Sequence, residues 1–257
     1  MVLGVQFSRL EKLTAGHFGQ FWNVLGTNWG NPSDCAPLED QFEDFDQPRW
    51  KARFQHSIVF SGVPFPGRFM VENASNDRMI QVQPTRFHYN WRRREDVYPS
   101  YQILITEFEK QLNKFFQFSQ DCSLGEIAAN QWELTYVNAF PVGVYWNTPA
   151  DWARFLPGLF SNLFPTDGLN IELENRAAEW TYEIKPKLGR LHISARTGKW
   201  GPSSDTMLLL QTTARGPIGK NGAESLRQGL DMGHSAAVGA FESVVDQSFL
   251  SKWGIKS

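Results

Sequence analysis

Residues 79–94 read MIQVQPTRFHYNWRRR, and this stretch decides the fold class. Before Pro84, Ile80 and Val82 alternate with glutamines, as expected for a β-strand with one apolar face. After Pro84 the parity reverses, so that aromatic and polar side chains exchange odd and even positions. Because side chains on a strand alternate with period two, this reversal requires a bulge or a break at Pro84. The stretch therefore predicts β structure that is interrupted at Pro84.

Amphipathic helices are predicted around these strands. The spacing of apolar residues predicts long helices over 98–118 and 223–250 and a shorter one over 15–25. Residues 26–54 lack a regular pattern and are predicted to form a loop. Further strands are predicted over 2–10, 57–61, 67–74, 132–140, 169–174, 179–185, 191–197 and 206–215. The pattern favours an α+β fold in which antiparallel sheets are covered by two long amphipathic helices.

The two halves of the chain have the same predicted order of elements. Each can be written as a strand, a short helix, two or three strands and a long helix. This order predicts an internal structural repeat, although no sequence identity supports a duplication. The predicted division gives an N-terminal α+β half, residues 1–125, and a C-terminal α+β half, residues 126–257. The alternative is one continuous domain.

Composition narrows the class of protein. The 257 residues include 25 Lys+Arg and 27 Asp+Glu, so binding of nucleic acid through overall charge is disfavoured, while a local basic patch stays open. Two cysteines, Cys35 and Cys122, build neither a disulfide framework nor a Cys-rich zinc site, and this usage is typical of the cytosol. No apolar run is long enough to span a membrane, and the N-terminus does not resemble a signal peptide. The expected location is cytoplasmic.

The polar side of the strand after Pro84 is the first candidate site. Four polar side chains share this side: Arg86, His88, Asn90 and Arg92. The row offers hydrogen-bond donors suited to a phosphate, a carboxylate or an acidic partner. The alternative is an edge strand whose arginines are solvated, paired with Glu95 and Asp96, or bonded to neighbouring strands. A stacking platform for nucleic acid is disfavoured because alternation puts the aromatic side chains on the opposite face.

Two further positions extend the candidate site. Glu133 lies within a predicted strand, where a carboxylate often pairs with an arginine of a neighbouring strand; Arg86 and Arg92 are the predicted partners. Asp231 and His234 lie three residues apart on the last predicted helix, so the two side chains can hydrogen-bond on one face. A histidine oriented in this way is either a base or metal ligand, or a core residue with one hydrogen bond.

Known catalytic motifs are missing from the sequence. It contains neither phosphate-binding glycine pattern, GxxxxGK[ST] or GxGxxG, and no GxSxG nucleophile elbow. The histidines do not show the spacing of metal ligands. No cofactor, metal or catalytic residue is therefore predicted.

The chain resembles a bacterial protein family of unknown function that is distributed sporadically between strains. The resemblance is carried by residues 80–92, Tyr98–Tyr101, Phe108, Glu133, Tyr136, Asn138, Asp231, His234, Phe241 and Trp253-Gly254. It covers the opening strand and helix and most of the chain from about residue 68. The scattered distribution is that of mobile or defence genes. The resemblance implies a bacterial cytosolic protein in an accessory or antiviral module, and it carries over no catalytic residues.

The leading hypothesis is a non-enzymatic binding or accessory protein that holds a protein or an anionic ligand beside residues 86–92. The competing hypothesis is a nuclease or another phosphate-ester hydrolase with a composite site of Arg86, His88, Glu133 and His234. A third is an accessory or inhibitor subunit of a defence or toxin–antitoxin module. The predicted partner is a protein, and the alternative is a nucleic acid or a nucleotide. A homo-oligomer is possible, and association with a membrane is not expected.

Overall fold

The structure is a computed structural model that describes residues 1–43, 45, 67–94, 98–161, 170–171, 173–200 and 205–252. Within these residues the fold is α+β, with nine strands in a large antiparallel sheet and five helices. The strands are β1 (Val2–Phe7), β2 (Trp29–Cys35), β3 (Arg68–Asn73), β4 (Arg78–Gln83), β5 (Arg86–Trp91), β6 (Ala129–Pro141), β7 (Ala177–Ile184), β8 (Gly189–Trp200) and β9 (Asp205–Pro217). The helices are α1 (Ala15–Leu25), α2 (Tyr101–Asp121), α3 (Trp152–Phe155), α4 (Ala223–Val244) and α5 (Gln247–Lys252).

The strands follow the order β2-β3-β4-β5-β1-β6-β9-β8-β7 across the sheet. The predicted α+β class with antiparallel strands is confirmed. The strands form one sheet rather than separate sheets, since β1 lies between β5 and β6 and joins the two series of strands. None of the helices in the described part of the chain is both long and apolar enough to cross a membrane.

The chain divides into two compact units. Unit 1 comprises residues 1–134 and 215–230, and unit 2 comprises residues 135–214 and 231–257. The strands β6 and β9 and the helix α4 each contribute residues to both units. The predicted halves, residues 1–125 and 126–257, stay a prediction.

A hairpin of β4 and β5 explains the change of parity at Pro84. The two strands pair antiparallel from Arg78↔Trp91 to Gln83↔Arg86. Only Pro84 and Thr85 connect the strands, so the predicted break is a two-residue turn. Proline suits this position because it lies outside the ladder and has no N–H to donate. Residues that face each other across the hairpin share one side of the sheet, which unites the polar residues of both strands.

The apolar side of unit 1 is built from aromatic rings. Phe115 of α2 is fully buried, and its ring lies 6.0 Å from that of Phe7, 5.3 Å from that of Phe21 and 5.6 Å from that of Phe87. These contacts pack α2 against α1 and against the strands β1 and β5. A second ring pair, Phe18 with Phe69, is stacked at 5.6 Å. Burial of such large rings provides much of the stabilisation of a core.

Unit 2 has an aromatic core of its own. The rings of Phe140 and Phe155 meet edge to face at 4.7 Å, and those of Phe155 and Phe249 at 4.8 Å. Trp146 and Trp152 are both buried, with ring centroids 5.4 Å apart. The hairpin of β7 and β8 also belongs to this unit.

Three of the predicted elements need comment. The predicted loop over 26–54 contains β2, whose sequence WGNPSDC is mostly exposed and lacks the alternation of a half-buried strand. The strand predicted over 169–174 is wrong for its described residues, which are in neither strand nor helix. The strand predicted over 57–61 lies outside the described residues.

Candidate functional site

The predicted row on β5 is buried. Side chains of Arg86 and His88 keep 5% and 4% of their accessible surface, and Asn90 is half-buried. The strand is an interior one, between β4 and β1, so the predicted edge position is wrong. Arg86 does bond to a neighbouring strand, as that alternative also allowed, since its Nη2 donates to Gln6 Oε1 of β1 at 2.6 Å. Arg92 lies beyond the end of β5, and its guanidinium donates to Asn76 O at 2.7 Å and Glu72 Oε1 at 2.8 Å. Arg92 is thus paired with Glu72 of β3, whereas Arg86, His88 and Asn90 lie within β5.

The buried row continues on the neighbouring strands of unit 1. On β4, Gln81 faces His88 and Gln83 faces Arg86, and on β1, Gln6 faces Arg86. All five side chains are buried. We use the name polar face for the side chains of Gln6, Gln81, Gln83, Arg86, His88, Glu133 and Arg215. Helix α2 packs on the opposite side of these strands, where Phe108 and Phe115 contact Phe87 of β5. Helix α1 reaches the sheet through the ring pair of Phe18 and Phe69 on β3.

Gly4 lets the His88 ring cross β1 toward β6. A Cβ atom at Gly4 would lie 2.4 Å from His88 Cδ2 and 2.8 Å from His88 Nε2. Real Cβ atoms do not approach other atoms so closely, and the ring uses the space that a side chain would fill. Beyond Gly4, His88 Nε2 lies 3.7 Å from Glu133 Oε1. A glycine on β1 thus brings residues of two strands on either side of it together.

Arg215 is the partner of Glu133. Its Nε donates to Glu133 Oε2 at 2.8 Å, and both side chains are largely buried. The sequence predicted Arg86 or Arg92 in this role, and that prediction is wrong for the direct ion pair. Arg215 lies near the end of β9, the neighbour of β6 in the sheet. The strand order, which the sequence does not reveal, decides which arginine reaches Glu133.

A segment of coil lies on the polar face, and we call residues 38–43 the acidic strap because they include Glu39, Asp40 and Glu43. Gln83 holds its main chain twice: Leu38 N–H donates to Gln83 Oε1, and Gln83 Nε2 donates to Leu38 O, both at 2.9 Å. Arg86 Nη2 donates to Glu39 O at 3.0 Å.

The rest of the strap is held by its main chain and by its carboxylates. Gln41 N–H donates to Gln6 Oε1 at 2.9 Å. Thr85 Oγ1 donates to Asp40 Oδ1 at 2.6 Å, and Arg215 Nη1 lies 3.3 Å from Glu43 Oε1. The polar face therefore binds both the backbone and the charges of an extended acidic segment.

Burial keeps His88 neutral at pH 7. Transfer of the ring out of water lowers the pKa of His88 from 6.5 to about 4; Glu133 opposes this shift, and the positive charges of Arg86, Arg68 and Arg215 add to it. A neutral imidazole has one ring nitrogen that accepts a proton or a hydrogen bond. His88 thus has the protonation state of a general base at neutral pH, although it is not exposed to solvent.

Glu133 is held in its ionised form. Burial opposes ionisation, but Arg215 and then the other positive charges of the polar face outweigh burial and lower the pKa of Glu133. Burial also lowers the pKa of Arg86, with Glu133 acting in the opposite direction. Arginine nevertheless stays protonated in proteins. The face therefore combines fixed positive charges with one ionised carboxylate.

Unsatisfied polar atoms are concentrated on this side of the sheet. Eight buried side-chain atoms of the described residues have no hydrogen-bond partner there, and five belong to this side: Arg68 Nε, Gln81 Oε1, His88 Nε2, Asn90 Oδ1 and Gln131 Oε1. Each such atom costs about 1–3 kcal/mol of stability. A polar molecule that hydrogen-bonds to them would recover part of this cost. A satisfied core pairs nearly all of its buried polar atoms, so this side of the sheet departs from that pattern.

His234 belongs to unit 2, where Tyr136 Oη and His234 Nδ1 are 2.8 Å apart. Burial lowers the pKa of His234, and Asp231 opposes the shift. Arg86, His88 and Glu133, the other three residues of the predicted composite site, belong to unit 1.

The chemistry that this site allows is anion binding and proton transfer. Guanidinium groups bind carboxylates and phosphates, and neutral His88 accepts a proton. Among the described residues, no three or more His, Cys, Asp or Glu side chains are grouped to hold a metal ion. The sequence analysis did not single out Gly4 or Arg215, and it gave the strap only as part of the acidic loop over 26–54. An arginine in the strand of residues 206–215 was the available signal for Arg215.

Comparison with known proteins gives no assignment: no family model, no curated protein and no solved structure matches this chain.

Proposed function

We propose that this chain is a non-enzymatic binding protein that holds an anionic ligand on the polar face. One observation carries the proposal: the polar face already holds an acidic segment, through Arg86, Arg215 and the amide side chains of Gln6 and Gln83. Burial strengthens each of these contacts because the local dielectric is lower than that of water.

Arg86 and Arg92 give a matched pair of variants to test this function. Sodium tripolyphosphate serves as the probe, and thermal unfolding is followed with and without it. At concentrations high enough to displace the acidic strap, the probe should raise the Tm of the wild type and of Arg92→Ala alike, because a ligand of the folded state stabilises it. The increase should be lost in Arg86→Gln, which keeps an amide donor and removes the charge. An equal increase in Arg86→Gln and the wild type would contradict the proposal.

A phosphate-ester hydrolase is the second candidate function. It is favoured by the contact of His88 with Glu133 beside Arg86, three of the four residues of the predicted composite site. His88 would accept the proton of an attacking water, and the arginines would stabilise the charge that develops on the phosphate. Incubation with bis(4-nitrophenyl) phosphate tests this reading: release of nitrophenolate that is lost in His88→Gln would establish an enzyme.

The wider setting extends the same proposal. We propose that the ligand belongs to a protein partner and that the protein acts in the bacterial cytoplasm, in an antiviral defence or toxin–antitoxin module. These proposals fit a binding protein without a catalytic motif, and they rest on the resemblance given above. A nucleotide is the alternative ligand. We also propose that the chain contains an internal repeat and that two long helices cover the sheet. Both proposals rest on the order and spacing of the elements predicted from the sequence.

A further inference from the structure

The contacts of the strap have the form of peptide recognition. Side-chain amides of Gln83 and Gln6 bind main-chain groups of Leu38 and Gln41, in a manner that depends little on the side chains of the strap. Such contacts accept any extended segment, as the open edges of peptide-binding proteins do.

Selection for acidic residues comes from other contacts. Thr85 binds the Asp40 carboxylate, and Arg215 binds that of Glu43, which is buried. The strap in between is exposed, and Phe42 keeps 58% of its accessible surface. The strap is therefore attached by polar contacts along its length and does not form part of the apolar core.

We propose that the strap occupies in cis a site for an extended acidic segment of a partner protein, which displaces the strap when it binds. This inference rests on the proposed function and names the ligand. The acidic strap and the polar face have complementary charges. Among the described residues, and without the strap, the polar face and Arg68 present three arginines and the one carboxylate of Glu133. A segment with two acidic residues three positions apart, as Asp40 and Glu43 are, restores the balance.

The strap and a free acidic peptide should compete for the polar face, because both bind the same side chains. A tethered segment acts at an effective concentration in the millimolar range, so it masks the site from weak ligands. Loss of its charges should unmask the site. In Asp40→Asn/Glu43→Gln the strap keeps its length and shape but loses both carboxylates, while the polar face itself is unchanged.

The test measures binding of a labelled peptide of residues 37–43, PLEDQFE, by fluorescence anisotropy. We expect Asp40→Asn/Glu43→Gln to bind this peptide at least about tenfold more tightly than the wild type does, as loss of a millimolar competitor implies. The neutral peptide PLQNQFQ should bind neither protein. Addition of Arg215→Gln to the double variant should abolish binding of the acidic peptide.

A second measurement uses the wild type, so that no variant has to fold. Excess PLEDQFE should speed hydrogen exchange of the Leu38 and Gln41 amides, which Gln83 and Gln6 protect, while PLQNQFQ should not. Equal binding of both peptides, or none, would overturn the proposal. If tripolyphosphate still binds when the peptide does not, the proposed function stands and this inference fails. A wild-type dimer that the peptide dissociates would assign the site to a second copy and overturn the choice of partner.

Discussion

At the residue scale, His88 should make stability depend on pH. Its pKa is about 4 in the folded state and near 6.5 when unfolded, so between these values the unfolded chain binds more protons. Stability is then full above pH 6.5 and falls as the pH drops toward 4. Between pH 7 and pH 5, His88 alone should remove about 2 kcal/mol from the free energy of unfolding.

Urea unfolding of the wild type and His88→Gln at the two pH values checks this expectation. Glutamine does not titrate, so the variant should lose about 2 kcal/mol less than the wild type over the same interval. Equal losses in the two proteins would show that the ring is already protonated at pH 7 or is open to solvent. Glu133 is present in both proteins, and Arg215 lowers its pKa in each.

Gly4 is the second prediction at this scale. In Gly4→Ala the new methyl group meets the buried His88 ring, and the ring has to leave its place beside Glu133. We expect a loss of about 1–3 kcal/mol, as for other overpacked sites. The matched control is Gly19→Ala on α1, where nothing lies within 4 Å of the added Cβ. There the change should stabilise by about 0.5–1 kcal/mol, since alanine favours helix. Denaturant titrations measure the free energy of unfolding of both variants. If Gly4→Ala were as stable as Gly19→Ala relative to the wild type, the His88 ring would not lie against Gly4.

At the scale of elements, the packing of α2 against the sheet should depend mainly on the ring of Phe115. Phe115 is fully buried among three other phenylalanine rings, and Phe115→Ala should cost about 3–5 kcal/mol. Ile103 lies on the same helix with 51% of its surface exposed, and Ile103→Ala should change the free energy of unfolding by less than about 0.5 kcal/mol. Denaturant unfolding compares the two. Similar costs would mean that α2 is not anchored through its aromatic side.

The elements also show what the sequence could predict. Local periodicity was sufficient for α1 and for the two strands around Pro84, because helical and strand periods are written in neighbouring residues. It placed Arg86, His88 and Asn90 on one face for the same reason. The pair of Glu133 and Arg215 could not be predicted, since it depends on which strands lie side by side. The strap was predicted only as a loop, because its contacts are with distant side chains.

At the scale of the whole molecule, net charge and local charge differ. The chain carries a formal charge of −2, yet the polar face and its surroundings collect Arg68, Arg86 and Arg215. The proposed anion binding therefore depends on the charges of one face and not on the net charge of the chain. Buried ion pairs are screened little by salt, whereas a ligand that arrives from solvent is screened strongly.

The concentration of salt should affect the two roles of these arginines differently, namely their ion pairs within the fold and their binding of a ligand from solvent. Between 0.05 and 0.5 M NaCl, we expect the free energy of unfolding without ligand to change by less than about 1 kcal/mol, because the pairs of Arg215 with Glu133 and Glu43 are buried. Over the same interval the affinity for tripolyphosphate should fall by about tenfold or more, since binding requires the ligand to leave its counterions. Unfolding and equilibrium binding are measured in the same buffers, with Arg92→Ala as the control. If stability decreased in parallel with binding, solvent would already reach these pairs, and the arginines would be structural partners of the carboxylates rather than a site for a ligand.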